Sequence, residues 1–159
     1  NVMTPKGKQP FKPSIISINS KYGILSTQWN KFVVDVMLEN AERELSSKGV
    51  PQENIIKMVV PGAYELPLAA KKILEKDVDV VIALGAVIKG ETPHFDFVSS
   101  SCANGLTKVS IEANKPVLFG VLTTETEEQA IRRADPKKGN KGAEVALSAM
   151  ELLEQYASI

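Results

Sequence analysis

His94 is the only histidine in this sequence of 159 residues, and it closely follows a short turn, Gly90-Glu91-Thr92. An imidazole suits general acid–base catalysis because it titrates near neutral pH. A helix is predicted to begin after this turn, and the free N–H groups at a helix start bind phosphate. A lone histidine is also often structural or solvent-exposed. Position alone therefore leaves both interpretations of His94 open.

The same turn belongs to a stretch, residues 85–92, that follows the spacing of a Walker A loop. Glu91 occupies the position of the phosphate-binding lysine, which argues strongly against nucleotide hydrolysis. The sequence also contains no G-x-G-x-x-G, so it lacks the fingerprint of a dinucleotide-binding fold.

A basic run at residues 132–141 is the second candidate for binding phosphate. Five basic residues against one acidic residue, Asp135, give this run a net charge of +4. Arginine and lysine donors bind phosphoryl oxygens well. The alternative interpretation is an ordinary solvated loop.

Trp29 and Glu65 are candidates for binding a polar heterocycle. Trp29 is the only tryptophan, and its ring either packs in the core or stacks on a planar ligand. Glu65 either stabilises a helix start through its charge or accepts hydrogen bonds from substrate hydroxyls. Cys102 lies inside a predicted helix and is expected to be a small core residue.

Composition excludes several classes of protein. Nineteen basic and nineteen acidic residues give zero net charge, which disfavours nucleic acid or an anionic membrane as a partner. One cysteine and one histidine exclude an internal disulfide and a multi-histidine metal site. The longest apolar run, residues 80–88, is far shorter than the ~20 residues that span a membrane. With no secretory signal visible, the expected location is the cytoplasm, or a plastid if a transit peptide was removed.

The elements that position these residues alternate between strand and helix. Such alternation predicts one α/β domain at residues 14–159, with a four-stranded parallel sheet between two helix layers and a site at the carboxyl ends of the strands. Residues 1–13, with three prolines and three lysines, predict an extended tail. The predicted strands are 14–19, 54–60, 78–88 and 116–124, and the predicted helices are 27–48, 63–76, 93–114, 125–134 and 140–157.

Six stretches of the sequence together resemble the lumazine synthase family of riboflavin biosynthesis. They fall in the family's order and spacing: residues 28–30, 60–67, 85–96, 116–124, 128–134 and 139–142. The resemblance implies a flavodoxin-like three-layer sandwich. It also implies a transferase that joins 5-amino-6-(D-ribitylamino)uracil to 3,4-dihydroxy-2-butanone 4-phosphate, without a metal or redox cofactor. The product would be 6,7-dimethyl-8-ribityllumazine, with release of phosphate and water.

The resemblance also implies a role for each matching residue. His94 corresponds to the general acid/base, and Arg133 to the arginine that binds phosphate. Trp29 corresponds to the aromatic residue that stacks on the pyrimidine. The other correspondences are Asn30, Ala63, Tyr64 and Glu65 around the pyrimidine and ribityl chain; Val87 and Ile88 as main-chain contacts to the uracil edge; Gly90, Glu91 and Thr92 as the phosphate turn; Phe119 and Lys141 from the adjacent subunit; and Glu144 near His94.

Three positions depart from the family pattern: Gln28 replaces an arginine, Pro93 replaces a threonine, serine or methionine, and Asp135 replaces a glycine. Pro93 removes one backbone donor near the phosphate turn. Asp135 places a negative charge beside the phosphate arginine and is expected to raise KM for the phosphate substrate. Members of the family form pentamers, and some assemble sixty subunits into a shell. The short connection at residues 134–140 favours the shell, and the tail is expected to add to a neighbour's sheet.

Three other functions fit the same fold. A ligand-binding relative would retain Trp29 but would not need His94 and Arg133. A structural shell protein would assemble without turnover. An archaeal-type riboflavin synthase would consume lumazine. Because fold alone does not separate them, the presence of His94 and Arg133 together favours the lumazine-forming enzyme.

Overall fold

The computed structural model describes residues 10–159 and places four parallel strands in one sheet. The strands are β1 (Tyr22–Thr27), β2 (Ile55–Val60), β3 (Val80–Ile88) and β4 (Val117–Thr124), and their order across the sheet is β2-β1-β3-β4. The predicted four-stranded parallel sheet is therefore confirmed. The helices are α1 (Ile15–Asn19), α2 (Lys31–Ser47), α3 (Leu66–Leu74), α4 (His94–Ala113), α5 (Glu127–Ala134) and α6 (Lys141–Ala157), with single 3₁₀ turns at Gln52–Asn54 and Ala63–Glu65.

Helices cover both faces of the sheet. Helices α2, α5 and α6 pack on one face and α3 and α4 on the other. Successive side chains of a strand point to opposite faces, so β3 sends Ile82 and Leu84 to the first layer and Val81 and Ala83 to the second. Residues 80–86 of β3 are buried, which explains its unbroken apolar run.

The predicted first strand at residues 14–19 is wrong, because these residues form α1. The β-branched isoleucines suggest a strand, but Ser14 caps a helix by accepting a hydrogen bond from the Ile16 N–H (3.1 Å). The Glu154 carboxylate of α6 then accepts the N–H groups of Ser14 (2.9 Å) and Ser17 (3.1 Å). Strand β1 instead occupies Tyr22–Thr27 and is buried throughout. Tertiary contacts with α6 therefore outweigh local strand propensity here.

The Glu154 contact makes the stability of the fold depend on pH. Partial burial disfavours the charged carboxylate, but hydrogen bonds from Ser14 and Ser17 outweigh it and lower the pKa of Glu154 to about 2, from an ordinary value of 4.5. The ionised group therefore stabilises the fold fully above pH 4.5. This contribution is lost as the pH falls toward 2.

We expect Glu154→Gln to lower the free energy of unfolding at pH 7 by about 1–2 kcal/mol. The difference from the wild type should shrink as the pH is lowered below 4.5. Urea unfolding of both proteins at several pH values measures this difference. Glu53→Gln, in the exposed turn before β2, is the control. A difference that stays constant with pH would contradict the role of the charge.

Only part of the predicted tail lies in the described range. Residues 10–13 form neither helix nor strand, and Phe11 is half-buried against the core beneath α2 and α6. Residues 1–9 fall outside the description. In the part of the chain that is described, no helix has the length and apolar character needed to cross a membrane.

Candidate functional site

A cleft of about 690 Å³ opens at the carboxyl edge of the sheet. It lies between the carboxyl ends of β1 and β3. The strand order reverses between these two strands, since β2 was added on the far side of β1 and β3 on the near side. Such a switch point is the usual ligand site of an open α/β fold. The structure brings eight of the predicted site residues together here. The lining consists of Trp29, Asn30, Gly62, Ala63, Tyr64, Glu65, Ala86, Val87, Ile88, His94, Phe97 and Val98.

The turn between β1 and α2 presents Trp29 to this cleft. The Gln28 N–H donates to the Val60 carbonyl (2.9 Å), and the Trp29 N–H donates to the Pro61 carbonyl (3.0 Å). The Thr27 hydroxyl donates to the Trp29 carbonyl (3.1 Å). With its backbone held in this way, Trp29 remains 72% exposed. Core packing within the protomer is therefore excluded as the role of this ring.

Glu65 and Gly62 shape the floor of the cleft beside the indole. The Gly62 N–H donates to Glu65 Oε1 (2.8 Å), which fixes the carboxylate at the start of α3. A Cβ atom on Gly62 would lie 3.2 Å from Trp29 Cδ1, a tight contact that would push the indole back slightly. Glu65 stays exposed, and a carboxylate has further lone pairs that can accept hydrogen bonds from a ligand.

The end of β3 presents main-chain groups to the cleft. The ladder between β1 and β3 ends at Leu25 and Ala83. Beyond it, the Lys89 N–H donates to the Thr124 carbonyl on β4 (2.9 Å). Because the N–H and C=O groups of successive strand residues alternate in direction, Ile88 points both of its groups the other way, into the cleft. The site therefore offers a donor and an acceptor from a single residue.

Helix α4 begins at His94, and its first two turns form one wall. The imidazole is exposed and lines the cleft, so His94 is not a core residue. Phe97 and Val98 line the same wall and were missed by the sequence analysis. Their spacing of three and four residues from His94, which places them on the same helical face, is the signal that could have identified them.

The phosphate-turn candidates lie next to this wall but do not line the cleft. Gly90, Glu91 and Thr92 are exposed between β3 and α4. The Thr92 hydroxyl accepts a long hydrogen bond from the His94 N–H (3.4 Å). The Pro93 carbonyl accepts the N–H groups of Asp96 (3.0 Å) and Phe97 (3.3 Å). Pro93 is thus accommodated at the helix start, as the sequence predicts.

Besides the phosphate turn, four further predicted residues do not line the cleft within this protomer. Phe119 is the third of the eight residues of β4 and is 38% exposed. Arg133 is exposed on α5. Lys141 and Glu144 form an ion pair on the first turn of α6 (3.2 Å). The cleft of one protomer is therefore lined without them.

The turn between α5 and α6 fixes the backbone next to Arg133. The Asp135 carboxylate accepts a hydrogen bond from the Lys137 N–H (2.8 Å). A Cβ atom on Gly139 would lie 2.7 Å from the Arg133 carbonyl oxygen, so the turn closes tightly over Arg133. Asp135 therefore shapes this turn in addition to placing a charge near Arg133.

Cys102 is fully buried in α4, as the sequence predicts. Burial raises the pKa of its thiol to about 11, which keeps it protonated and unreactive at neutral pH. Across residues 10–159, no three His, Cys, Asp or Glu side chains come together where they could hold a metal ion.

Comparison with known families agrees with this geometry. The family model described as 6,7-dimethyl-8-ribityllumazine synthase matches residues 19–157 of the 159-residue chain. The match runs from the last residue of α1 to the end of α6 and includes every residue that lines the cleft. Members of this family are transferases of riboflavin biosynthesis. The chain belongs to the 6,7-dimethyl-8-ribityllumazine synthase family.

Proposed function

We propose that this protein condenses 5-amino-6-(D-ribitylamino)uracil with 3,4-dihydroxy-2-butanone 4-phosphate. The products are 6,7-dimethyl-8-ribityllumazine, inorganic phosphate and water. The observation that carries the proposal is the cleft itself, which unites an exposed indole, a carboxylate, a main-chain donor–acceptor pair and an imidazole.

The pyrimidine substrate fits the part of the cleft nearest β1 and β3. Its planar ring stacks on Trp29, which is exposed and fixed by its backbone. Its edge carries amide N–H and C=O groups, which complement the pair presented by Ile88. The ribityl hydroxyls donate to Glu65, whose Oε1 already accepts the Gly62 N–H and whose remaining lone pairs are available.

The phosphate substrate fits the region beside the start of α4. The exposed turn at residues 90–92 and the helix start offer N–H groups to the phosphate. His94 then moves protons as the amine and ketone form an imine with loss of water, and as phosphate leaves. Holding the two substrates face to face makes the condensation effectively intramolecular, which is the main source of rate.

We infer that a second copy of the chain completes the site. Arg133, Phe119 and Lys141 are absent from the cleft lining of the protomer that is described. Trp29 and Phe97 are each 72% exposed at the cleft, an arrangement suited to cover by a neighbour. Arg133 of that neighbour would bind the phosphate, and its Phe119 and Lys141 would cover the ring and its edge.

We propose that the subunits form pentamers and that these assemble into a shell of sixty. The connection from α5 to α6 covers only residues 135–140, which agrees with the short connection of shell-forming members. The proposed pairing of the tail with a neighbour has a suitable partner in β2, an edge strand with Ile56 and Val59 exposed. Light scattering that finds only a pentamer-sized particle would overturn the shell.

The decisive test mixes the purified chain with both substrates and follows lumazine fluorescence. Product formation above the spontaneous rate supports the synthase. Assembly without acceleration would instead support a structural shell, and binding without turnover would support a ligand-binding relative. Consumption of added lumazine would indicate a riboflavin synthase.

Replacing Asp135 separates its charge from its role in the turn. Asparagine retains the side-chain oxygen that accepts the Lys137 N–H but removes the negative charge. We expect Asp135→Asn to lower KM for the phosphate substrate about two- to fivefold, a small effect because exposed charge pairs contribute little. Asp77→Asn, at the opposite edge of the sheet, is the control. An unchanged KM in Asp135→Asn would contradict the expected effect of the charge on phosphate binding.

A further inference from the structure

Asn30 uses its side chain in an unusual way for the residue that precedes a helix. An asparagine in this position ordinarily caps the helix by accepting a backbone N–H of the first turn. Asn30 makes no such side-chain bond, and its backbone is left-handed (φ 58°). Its amide Nδ2 instead donates to the Ala86 carbonyl of β3 (2.8 Å). The side chain therefore crosses from the β1–α2 turn to another strand.

This hydrogen bond spans the gap where the site lies. The ladder between β1 and β3 ends at Leu25 and Ala83, and the Asn30 amide joins the two sides three residues further along β3. On the opposite side, the same turn is held to the end of β2 by the N–H groups of Gln28 and Trp29. The turn that carries the indole is therefore fixed to both neighbouring strands.

The bond also fixes the main chain of β3 next to the cleft. Because a peptide unit is planar, holding the Ala86 carbonyl sets the orientation of the whole Ala86–Val87 peptide. Ile88, which presents a donor and an acceptor to the cleft, is the next residue along the strand. One side-chain amide thus sets the indole and the main-chain pair relative to each other.

We propose that Asn30 is a positioning residue that sets the width of the slot between Trp29 and the end of β3. The inference rests on the proposed function, in which the pyrimidine occupies this slot. Glycine at position 30 tolerates the left-handed backbone but has no amide, so Asn30→Gly removes the bond without adding strain. Aspartate keeps the shape but places a carboxylate oxygen against the Ala86 carbonyl, which opens the slot.

The test compares wild type, Asn30→Gly and Asn30→Asp as full-length proteins. We expect KM for the pyrimidine to rise about tenfold in Asn30→Gly, the usual effect of losing one hydrogen bond, and further in Asn30→Asp. KM for the phosphate substrate and kcat should change less than about twofold, because His94 is held by α4 and not by this turn. Asn114→Gly is the matched control, since Asn114 has the same left-handed backbone (φ 54°) at the far end of α4.

A second readout does not depend on turnover. Trp29 is the only tryptophan, so the anisotropy decay of its fluorescence reports on this turn alone. The amplitude of the nanosecond component should rise in both Asn30 variants and stay unchanged in Asn114→Gly. Wild-type anisotropy and wild-type KM in Asn30→Gly would overturn the positioning role. If the anisotropy changes in the Asn30 variants but no protein, wild type included, forms product, the positioning role is upheld and the proposed reaction is overturned.

Discussion

Replacement of His94 by alanine should lower kcat for lumazine formation by about 10²–10⁴-fold, the usual contribution of a general acid/base. His94 is exposed at the start of α4, lines the cleft, and is the only histidine in the chain. No other imidazole can therefore take over proton transfer. KM for both substrates should change little, because the proposed function assigns binding of the pyrimidine to Trp29, Glu65 and the main chain of β3, and binding of the phosphate to the turn at residues 90–92.

Adding free imidazole to His94→Ala tests whether His94 acts by proton transfer. Because the position of His94 is exposed, free imidazole can enter the space left by His94→Ala and should restore part of kcat. Asp96→Asn is the control, since Asp96 lies on the same helical turn but outside the cleft lining. Full activity in His94→Ala would show that His94 is not needed for the reaction. A raised KM with no response to imidazole would assign His94 to binding and not to proton transfer.

Gly142→Ala should cause the largest loss of stability among substitutions of the glycines in residues 10–159. A Cβ atom on Gly142 would lie 2.1 Å from the Met37 carbonyl oxygen, so α6 would have to move away from α2. Both contacting partners are backbone of helices, which cannot yield as a flexible side chain can. We expect a loss of about 3 kcal/mol, at the upper end for overpacking. Urea unfolding measures this loss directly.

Gly90→Ala is the control for this substitution, because nothing lies within 4 Å of the added methyl group. Its free energy of unfolding should stay within about 0.5 kcal/mol of wild type. The displacement of α6 should also weaken activity, since its first turn carries Lys141 and Glu144. A wild-type unfolding curve for Gly142→Ala would show that the two helices separate without cost.

Most of the fold follows from periodicity that is visible in the sequence. Strands β2, β3 and β4 were predicted within two residues of their observed ends, because each is an apolar run bounded by turn residues. Strand β1 was not predicted at its observed position, because the sequence signals at these residues conflict. Gly23 lies within β1, and a glycine ordinarily indicates a turn. The strand accommodates it because the Ile73 side chain fills the space where a Cβ would be.

The structure brings together predicted site residues that lie at or soon after the ends of strands. Trp29, Glu65 and Ile88 lie at the ends of parallel strands, which meet at one edge of the sheet. Phe97 was missed because its place in the wall depends on the orientation of α4. The position of Arg133 outside the cleft lining was not predicted either, because the relative placement of α5 and α4 depends on tertiary packing and not on local sequence.

The amino-acid sequence by itself determined the alternation of strands and helices, the parallel sheet and the family, because these depend on local pattern and on motif order. Only the tertiary structure decided that residues 15–19 are helical, because Glu154, far away in the chain, accepts the N–H groups of Ser14 and Ser17 at the start of this helix. It also decided that the Asn30 amide reaches Ala86 and not its own helix. Hydrogen bonds between residues distant in sequence form only once the layers have packed, and they set the final geometry of the cleft.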